Sequence, residues 1–534
     1  MKIISLILFL TSGLLYSQSA DSTVMVKFAN NSGESIDVSA MSFPDSSVIT
    51  VVDTLTYPFT IADDDTLDIE FVIDRDQPDS IYSYSLTINS EYIKQYLSFT
   101  INIIGDTTGA GAPEPSASSN IWWVASGGLG SQTGTDSANA WSSASIVWDS
   151  LDPGDSIYFI EGTYTGTINI GASGDENNLL TFMTNPTNTG DVLFTGSGSK
   201  ILINDDDYIR LLGFTFRNLY GAVRIEPTAN VIYLDSLTIS KFSTQGGGIT
   251  VIGYPNVTDI DSIFIRYCTI HSDSILNSQN DAVYAQYFSN LFIDNCHIEQ
   301  NNVGYKSQHN DALQVYNFNN ITVSNSYINV DGNGLSTQPC QAIMLESAVA
   351  GSKTILYNNV FNSDFTNTYG NTVYLNKATV GNYYVYGNTF IGGYNLNLLT
   401  IYGDSAFIKN NIFYHRYVIT SPSIRLTVAN LANLELDGSL TSTNVSSEPL
   451  IVNGSAYNRA EMLAAGWEAT GTFVDRWRVD PLFTNFGTLD LSLQAGSPAI
   501  DVGVTLGSPY NVDILGVTRP VGAGYDIGAM EYNP

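Results

Sequence analysis

Asp281, Asp311, Gln341 and Asn371 stand thirty residues apart, and each opens a similar short phrase: DAVYAQ, DALQVY, QAIMLE and NTVYLN. A period of this size dictates stacked units in which each turn of chain lies on the one before. A second phrase keeps step with the first: LLGFTF from Leu211, LDSLTI from Leu234, IRYCTI from Ile265, IDNCHI from Ile293, VSNSYI from Val323, LYNNVF from Leu356, VYGNTF from Val385 and IKNNIF from Ile408. Its eight copies begin 23 to 33 residues apart, and each opens and closes on bulky apolar residues with Asn, Gly, Ser or Tyr between. Short alternating runs of this kind read as strands; a helical solenoid needs long 3.6-period stretches rich in Ala, Leu, Glu and Lys. The expected fold is all-β, a parallel β-helix in which every edge except those of the two end coils is paired.

With 534 residues the chain is too long for one compact domain. Residues 1–20 read as a signal peptide: Lys2 gives a positive start, Ile3 to Tyr16 is mostly apolar, and Ser17, Ser19 and Ala20 suit cleavage. A secreted or cell-surface protein with no membrane insertion is expected. Residues 21–105 alternate through VMVKF, SIDVSAMSF, TLDIEFVI, SYSLTI and LSFTINII, the pattern of a small antiparallel β-sandwich. Residues 106–119 have the Gly, Pro, Ser and Thr content of a linker. The β-helix is expected over 120–435, with further coils and a terminal β segment over 436–534.

Two resemblances add to this reading. NNSGESIDVSAMSF, YPFTIADDDTLDIEFVI and SYSLTINS resemble immunoglobulin-like domains of the Hydin and choice-of-anchor type, which implies a spacer or appendage. IWWVASGGLG, SSASIVWDSLDPGDSIYFIEGTY, DPLF, GSPAID and GYDIGAMEY resemble secreted right-handed parallel β-helix proteins of the pectate-lyase-like superfamily. That second resemblance implies a short amphipathic helix from Ser143 to Leu151 capping the first coil, GDSIYFIEGTY as its first strand and turn, and GYDIGAMEY as a terminal strand. The activities on this fold differ widely, so it does not fix the function.

The formal charge of −32 argues against nucleic acid, which needs a basic footprint. Three cysteines are too few for a disulfide framework; Cys268 and Cys296 fall at equivalent places in consecutive phrases, either as a bonded pair or as two small buried residues. His271, His297 and His415 are scattered over different coils, without the spacing of a zinc site. Asn204 to Asp207 reads as a polar turn more readily than as a cation site.

Strand alternation points Val283, Ala285, Leu313, Val315, Ile343, Leu345, Val373 and Leu375 inward. Tyr284, Gln314, Met344 and Tyr374 then share an outer face with Arg224 and Thr250, beside a row of Gln286, Tyr316, Glu346 and Asn376. Such a face suits an extended polysaccharide, with Arg224, Tyr284, Gln314, Glu346 and Tyr374 as substrate-binding residues. Asp281 and Asp311 should lie about 5 Å apart, so that one keeps a proton or a cation sits between them. Calcium is the cofactor they would take as metal ligands.

Lys306 and His309 precede the same strand. Calcium-assisted β-elimination on a uronate glycan would use Lys306 or His309 as base, Tyr305 or Tyr316 as acid, and Asp281 with catalytic Asp311 as the calcium anchors. The alternatives are a glycoside hydrolase using the paired carboxylates, and a non-catalytic surface, adhesin or tail-associated glycan-binding protein. A purely structural role for Asp281 and Asp311, satisfying turn amides at the start of each coil, also fits the spacing.

Overall fold

The computed structural model describes residues 120–533 apart from 197, 199, 243–246, 256–259, 273–280, 302–309, 333–339, 347, 366–370, 376–380, 394–396, 419–421, 443–449 and 469–477, and before residue 120 only the backbone of eight strands. The chain divides into Met1–Gly111 with Asn185–Thr189, and Ala112–Thr184 with Gly190–Pro534. In the first unit, Ser22–Asn30 and Asp65–Ile73 lie at the centre of one four-stranded antiparallel sheet, and Ile36–Ser42 and Ser80–Ser90 at the centre of another. The linker at 106–119 lies outside the described residues. No described helix is long and apolar enough to cross a membrane.

The second unit is a parallel β-helix whose coils have three faces. The first face carries Ile209–Leu212, Ile232–Asp235, Ile260–Arg266 and their successors in register. The second is an 11-stranded parallel sheet running from Gly162–Tyr164 to Leu440–Thr441. The third carries Val223–Ile225, Ile249–Ile252, the first residues of Val283–Asp294 and Leu313–Ser324, then Ile343–Glu346, Asn371–Leu375, Asn397–Gly403 and Ile424–Val428. Val283–Asp294 and Leu313–Ser324 bend from the third face into the first at Tyr287 and Asn317, which take positive φ of 54° and 50°.

The eight-copy phrase is a corner, not a strand as its alternation suggests. Its opening residues, Leu211 through Ile408, pair with one another on the first face, and its closing residues, Phe216 through Phe413, pair on the second. Both rows point inward and are buried. Between them the chain turns on one left-handed residue per coil: Gly213, Ser236, Tyr267, Asn295, Asn325, Asn358, Gly387 and Asn410. Gly and Asn reach that conformation at least cost, which is why they punctuate the phrase.

The next residue of each corner points into the core. Asn359, Asn388 and Asn411 stack there, and the backbone amides of Ser326, Asn359 and Asn388 donate to the Oδ1 atoms of Asn359, Asn388 and Asn411 at 3.0, 2.9 and 2.9 Å. Their Nδ2 atoms donate to the carbonyls of Val323, Leu356 and Val385 one coil back. Cys268 and Cys296 occupy the same position as free thiols, donating to Leu234 and Ile265 carbonyls at 3.3 and 3.4 Å. They are rungs of this ladder and not a disulfide.

The ends are closed by aromatic rings and one short helix. Ser143 to Leu151 does not form the expected amphipathic helix; only Trp148–Ser150 makes a single 3-10 turn. Ile146 and Val147 are β-branched and disfavour a helix, and Asp155 takes the amides of Asn120 and Asp152 and the Trp122 indole instead. Trp122 stacks on Trp141 at 4.8 Å, and Ile121–Ala125 forms a rung ahead of Ser156–Phe159, the expected first strand. At the far end, helix Arg459–Ala464, held by the Asn458–Glu461 capping box, lays Met462 against the core, with Trp467 just beyond it.

Residues 478–533 then cover the outside of the second face. Phe483, Leu491, Leu493, Ile514, Ile527 and Met530 pack on Val360, Ile391, Ile412 and Leu440. GYDIGAMEY is not the expected strand: it makes one isolated bridge, Gly503 to Tyr525, and is fixed by side chains such as Arg519, whose terminal nitrogens donate to the carbonyls of Asp526 and Gly528.

Candidate functional site

The third face carries the outer row expected from alternation. Arg224, Thr250, Tyr284, Gln314, Met344 and Tyr374 pair rung by rung, and the row continues through Thr400 and Arg425. Beside it run Ile252, Gln286, Tyr316 and Glu346 in register, with Tyr402 and Thr427 further on. The inward partners Val283, Ala285, Leu313, Val315, Ile343, Leu345, Val373 and Leu375 are fully buried, which holds the outer side chains in fixed rows. Asn376, Tyr305, Lys306 and His309 lie outside the described residues.

The face is less open than a solvent-facing sheet. Gln314 is 3% and Glu346 8% exposed, while Tyr284, Tyr316, Met344, Tyr374 and Arg224 are half-buried. The Gln314 amide donates to the Tyr316 hydroxyl at 2.7 Å and lies 3.7 Å from the Met344 sulfur, and the Tyr284 hydroxyl donates to Gln286 Oε1 at 2.9 Å. Tyr284 and Tyr316 are tilted at 51° with centroids 6.1 Å apart; Tyr374 and Tyr402 repeat the arrangement at 54° and 6.0 Å. Arg224 is ion-paired with Glu226.

Burial, reinforced by the neighbouring carboxylate Glu346, pushes the Tyr316 phenol far above its ordinary range, so it stays protonated. The Tyr374 phenol is pushed up to about 12 by burial, with smaller contributions from Tyr402 and Glu346. These hydroxyls are proton donors, not bases.

Asp281 and Asp311 are adjacent, as the register requires, and both are turned into the protein. Asp281 is 5% exposed and Asp311 fully buried. Asp281 Oδ1 accepts the Asp311 amide at 2.9 Å, and Asp311 Oδ1 accepts the Gln341 amide at 2.6 Å. Burial raises both carboxyls, and the charge of Asp281 raises Asp311 further. The turn-amide role is therefore present at both positions. One oxygen of each carboxyl is engaged by a backbone amide, and calcium takes six to eight oxygens, so the pair alone would supply only part of such a shell. Among the described residues no three His, Cys, Asp or Glu side chains are grouped to hold a metal.

One cluster escaped the sequence reading. His271 and His297, treated there as scattered, lie on adjacent rungs of the second face, where His271 pairs with Glu299 and His297 with Thr269. His271 Nδ1 is 3.2 Å from Glu299 Oε2, Asn329 Nδ2 is 3.4 Å from Glu299 Oε1, and the His297 ring lies 6.2 Å from that of Tyr327. The signal was available: HSD and HIEQ follow equivalent corners, and strand alternation puts 271, 297 and 299 on one side. His415 is separate, buried in the core against Ser423 Oγ at 3.1 Å.

No protein-family model and no curated protein matches the chain. Among solved structures it is similar to the pectate lyase Pel9A, with a TM-score of 0.42 and 14% identity over 78% of this chain and 98% of that one. It is also similar to a rhamnogalacturonan lyase, with a TM-score of 0.38 and 11% identity over 60% of this chain and 87% of that one.

Proposed function

We propose that this chain holds an extended polysaccharide along its third face and cleaves it there by β-elimination. The observation that carries the reading is the register of the outer rows: Tyr284, Tyr316, Tyr374 and Tyr402 recur with Gln286, Gln314 and Glu346 among them. Rungs rise by about 4.8 Å, comparable to the advance of one sugar in an extended glycan. Aromatic rings accept the apolar faces of sugars, and amides and carboxylates take their hydroxyls.

In the elimination, Lys306 or His309 takes the C5 proton of a uronate. The electron pair forms the C4–C5 double bond, the C4–O bond breaks, and the departing oxygen takes the Tyr316 proton. A calcium ion held beside Asp281 and Asp311 would neutralise the uronate carboxylate and so acidify its C5 proton. The leader and the immunoglobulin-like N-terminal unit belong to the same proposal, as the marks of an exported protein with a spacer.

A second reading, glycan binding without cleavage, is favoured by the burial of Asp281 and Asp311, which withdraws both carboxyls from a substrate. The two are separated by incubating the full chain and a Tyr316→Phe variant with a panel of uronate polymers. Ultraviolet absorbance from unsaturated ends, lost in the variant, supports elimination. Reducing ends without that absorbance indicate hydrolysis, retention of glycan without product supports the second reading, and neither retention nor product on any polymer sinks both.

A further inference from the structure

The outer side of the first face carries a row that runs from Arg210 to Glu435 in eight register steps, about 38 Å at the strand spacing. Thr322 is its middle rung. Tyr233, Phe264 and Phe292 lead up to that threonine, and Ile355, Tyr384 and Phe407 follow it, all half-buried.

The rings of this row are turned differently from those of the third face. Tyr233 stacks on Phe264 at 4.5 Å and Phe264 on Phe292 at 4.8 Å, each pair within 7° of parallel, and Tyr384 stacks on Phe407 at 5.1 Å and 8°. Rings stacked along the coil axis spend their faces on one another and present their edges outward. A sugar lies on a ring face, so the row is poorly suited to a glycan, whereas a line of apolar edges suits a second apolar surface of the same length.

Charge narrows the choice of partner. Beside the apolar row, on the same strands, runs a second one from Asp235 through Arg266, Asp294 and Ser324 to Lys409 and Asp437. Across the two rows Arg210, Arg266 and Lys409 stand against Asp235, Asp294, Glu435 and Asp437, three positive groups to four negative. The whole chain has 20 to 52. Two copies of such a chain repel one another, and least where their charges balance.

The apolar row also reads alike from both ends. A two-fold axis through the Thr322 rung, in the plane of the face and parallel to the strands, would lay it on its own copy in the opposite direction. Arg210 then meets Glu435 of the second copy, Tyr233 meets Phe407, Phe264 meets Tyr384 and Phe292 meets Ile355, while in the neighbouring row Asp235 meets Lys409. Glu435, paired with Lys409 at 2.7 Å, keeps 51% of its side chain exposed for that contact. The parallel arrangement instead sets Arg210 on Arg210 and Glu435 on Glu435. Two rows of this length cover about 500 Å² on each copy, about 1,000 Å² in all, the lower edge of a specific interface.

We infer that the first face is a homodimer interface, in which two copies pack antiparallel along the row from Tyr233 to Phe407 with Thr322 on the two-fold axis. The rows of the third face take no part in it.

Sedimentation velocity of the full chain should show monomer and dimer exchanging in the micromolar range, and Phe264→Asp, with an unchanged circular dichroism spectrum, should raise the dissociation constant about tenfold or more. Cross-linking reads the register. Facing sheets stand about 10 Å apart, too far for a disulfide, so variants with one added cysteine are treated with a short bis-maleimide. The native thiols are buried and stay unlabelled. Thr322→Cys should link to itself. Tyr233→Cys should not, since its two copies would stand about 29 Å apart, but Tyr233→Cys mixed with Phe407→Cys should. A monomer at every concentration overturns the inference, and so does a dimer in which Thr322→Cys fails to link or Tyr233→Cys links to itself. A parent that stays monomeric and loses retention on a glycan gel through Phe264→Asp would give the row to a carbohydrate and overturn the inference as well.

Discussion

The backbone amide of Asp311 donates to Asp281 Oδ1 at 2.9 Å, and Asp311 repeats the contact on Gln341 at 2.6 Å. Two carboxyls expected to face a substrate instead tie three consecutive coils together. Because burial raises both, the stability they contribute is present below the ordinary aspartate range and is lost as pH rises through their elevated values. An amide oxygen can accept the same bond, so the Asp281→Asn/Asp311→Asn variant should keep the fold and titrate less. Its melting temperature should exceed that of the parent by a margin that widens from acid to mildly alkaline pH. A calcium-dependent rise in the parent alone would mark the pair as ligands.

The aromatic rungs should contribute to glycan retention without supporting the fold. Tyr284→Ala and Tyr374→Ala each remove a half-buried ring from the outer row. Each should weaken binding about tenfold, near 1.4 kcal/mol, with an unchanged circular dichroism spectrum. Isothermal titration with the tightest glycan of the panel measures the loss, and full retention in both variants would remove this face from recognition.

Asn388 is fully buried; it accepts the Asn359 amide and donates to the Leu356 carbonyl at 2.9 Å. Asn388→Ala leaves both groups unsatisfied in the core and should cost about 2–4 kcal/mol. Asn388→Ser should cost less, since Ser326 sits on the same ladder and takes the Cys296 amide at 3.0 Å. Denaturant unfolding of the two variants checks the order.

Asp235, buried on the first face, bonds Arg210 Nε at 2.7 Å and Arg266 Nε and Nη2 at 2.8 Å. Removing it leaves two neighbouring guanidiniums without their shared partner. Asp235→Ala should destabilise by about 3 kcal/mol, and Arg210→Met/Asp235→Leu/Arg266→Met by less than that. A single replacement less harmful than the triple would contradict the arrangement.

All three cysteines are buried thiols. A thiol reagent should find no reactive group in the native protein and three after denaturation, with no reductant added.

Much of the β-helix could be read from residue order because two constraints act together: alternation fixes which side chains point in, and a nearly constant coil length fixes which of them stack. Hence Leu211 through Ile408 and Arg224 through Tyr374 fall in the rows their spacing implies. The corner was hidden because a positive φ leaves no trace where Ser236 or Tyr267 holds it, though the Asn and Gly at its other copies mark the place. Adjacency of Asp281 and Asp311 was legible, but the direction of their carboxyls was not: it depends on backbone amides of the next coil, which the pattern of side chains does not display. His271 and Glu299 were missed for another reason: their contact joins directly paired strands of adjacent coils, and only alternation and register taken together bring the two side chains opposite one another.

The terminal segment has a consequence for how the molecule is made. Coils can stack as they leave the ribosome, since each needs only its predecessor. The outer row Val360, Ile391, Ile412 and Leu440 is different, because its cover includes Ile527 and Met530. Thr389 likewise waits for the Ala529 amide, 140 residues later, and Asn410 for Val504, 94 residues later. Until residues 478–533 have emerged, the growing solenoid therefore carries this apolar stripe without the cover it has in the finished fold, and the arrival of that segment decides whether the stripe is closed by this chain or by a neighbouring one.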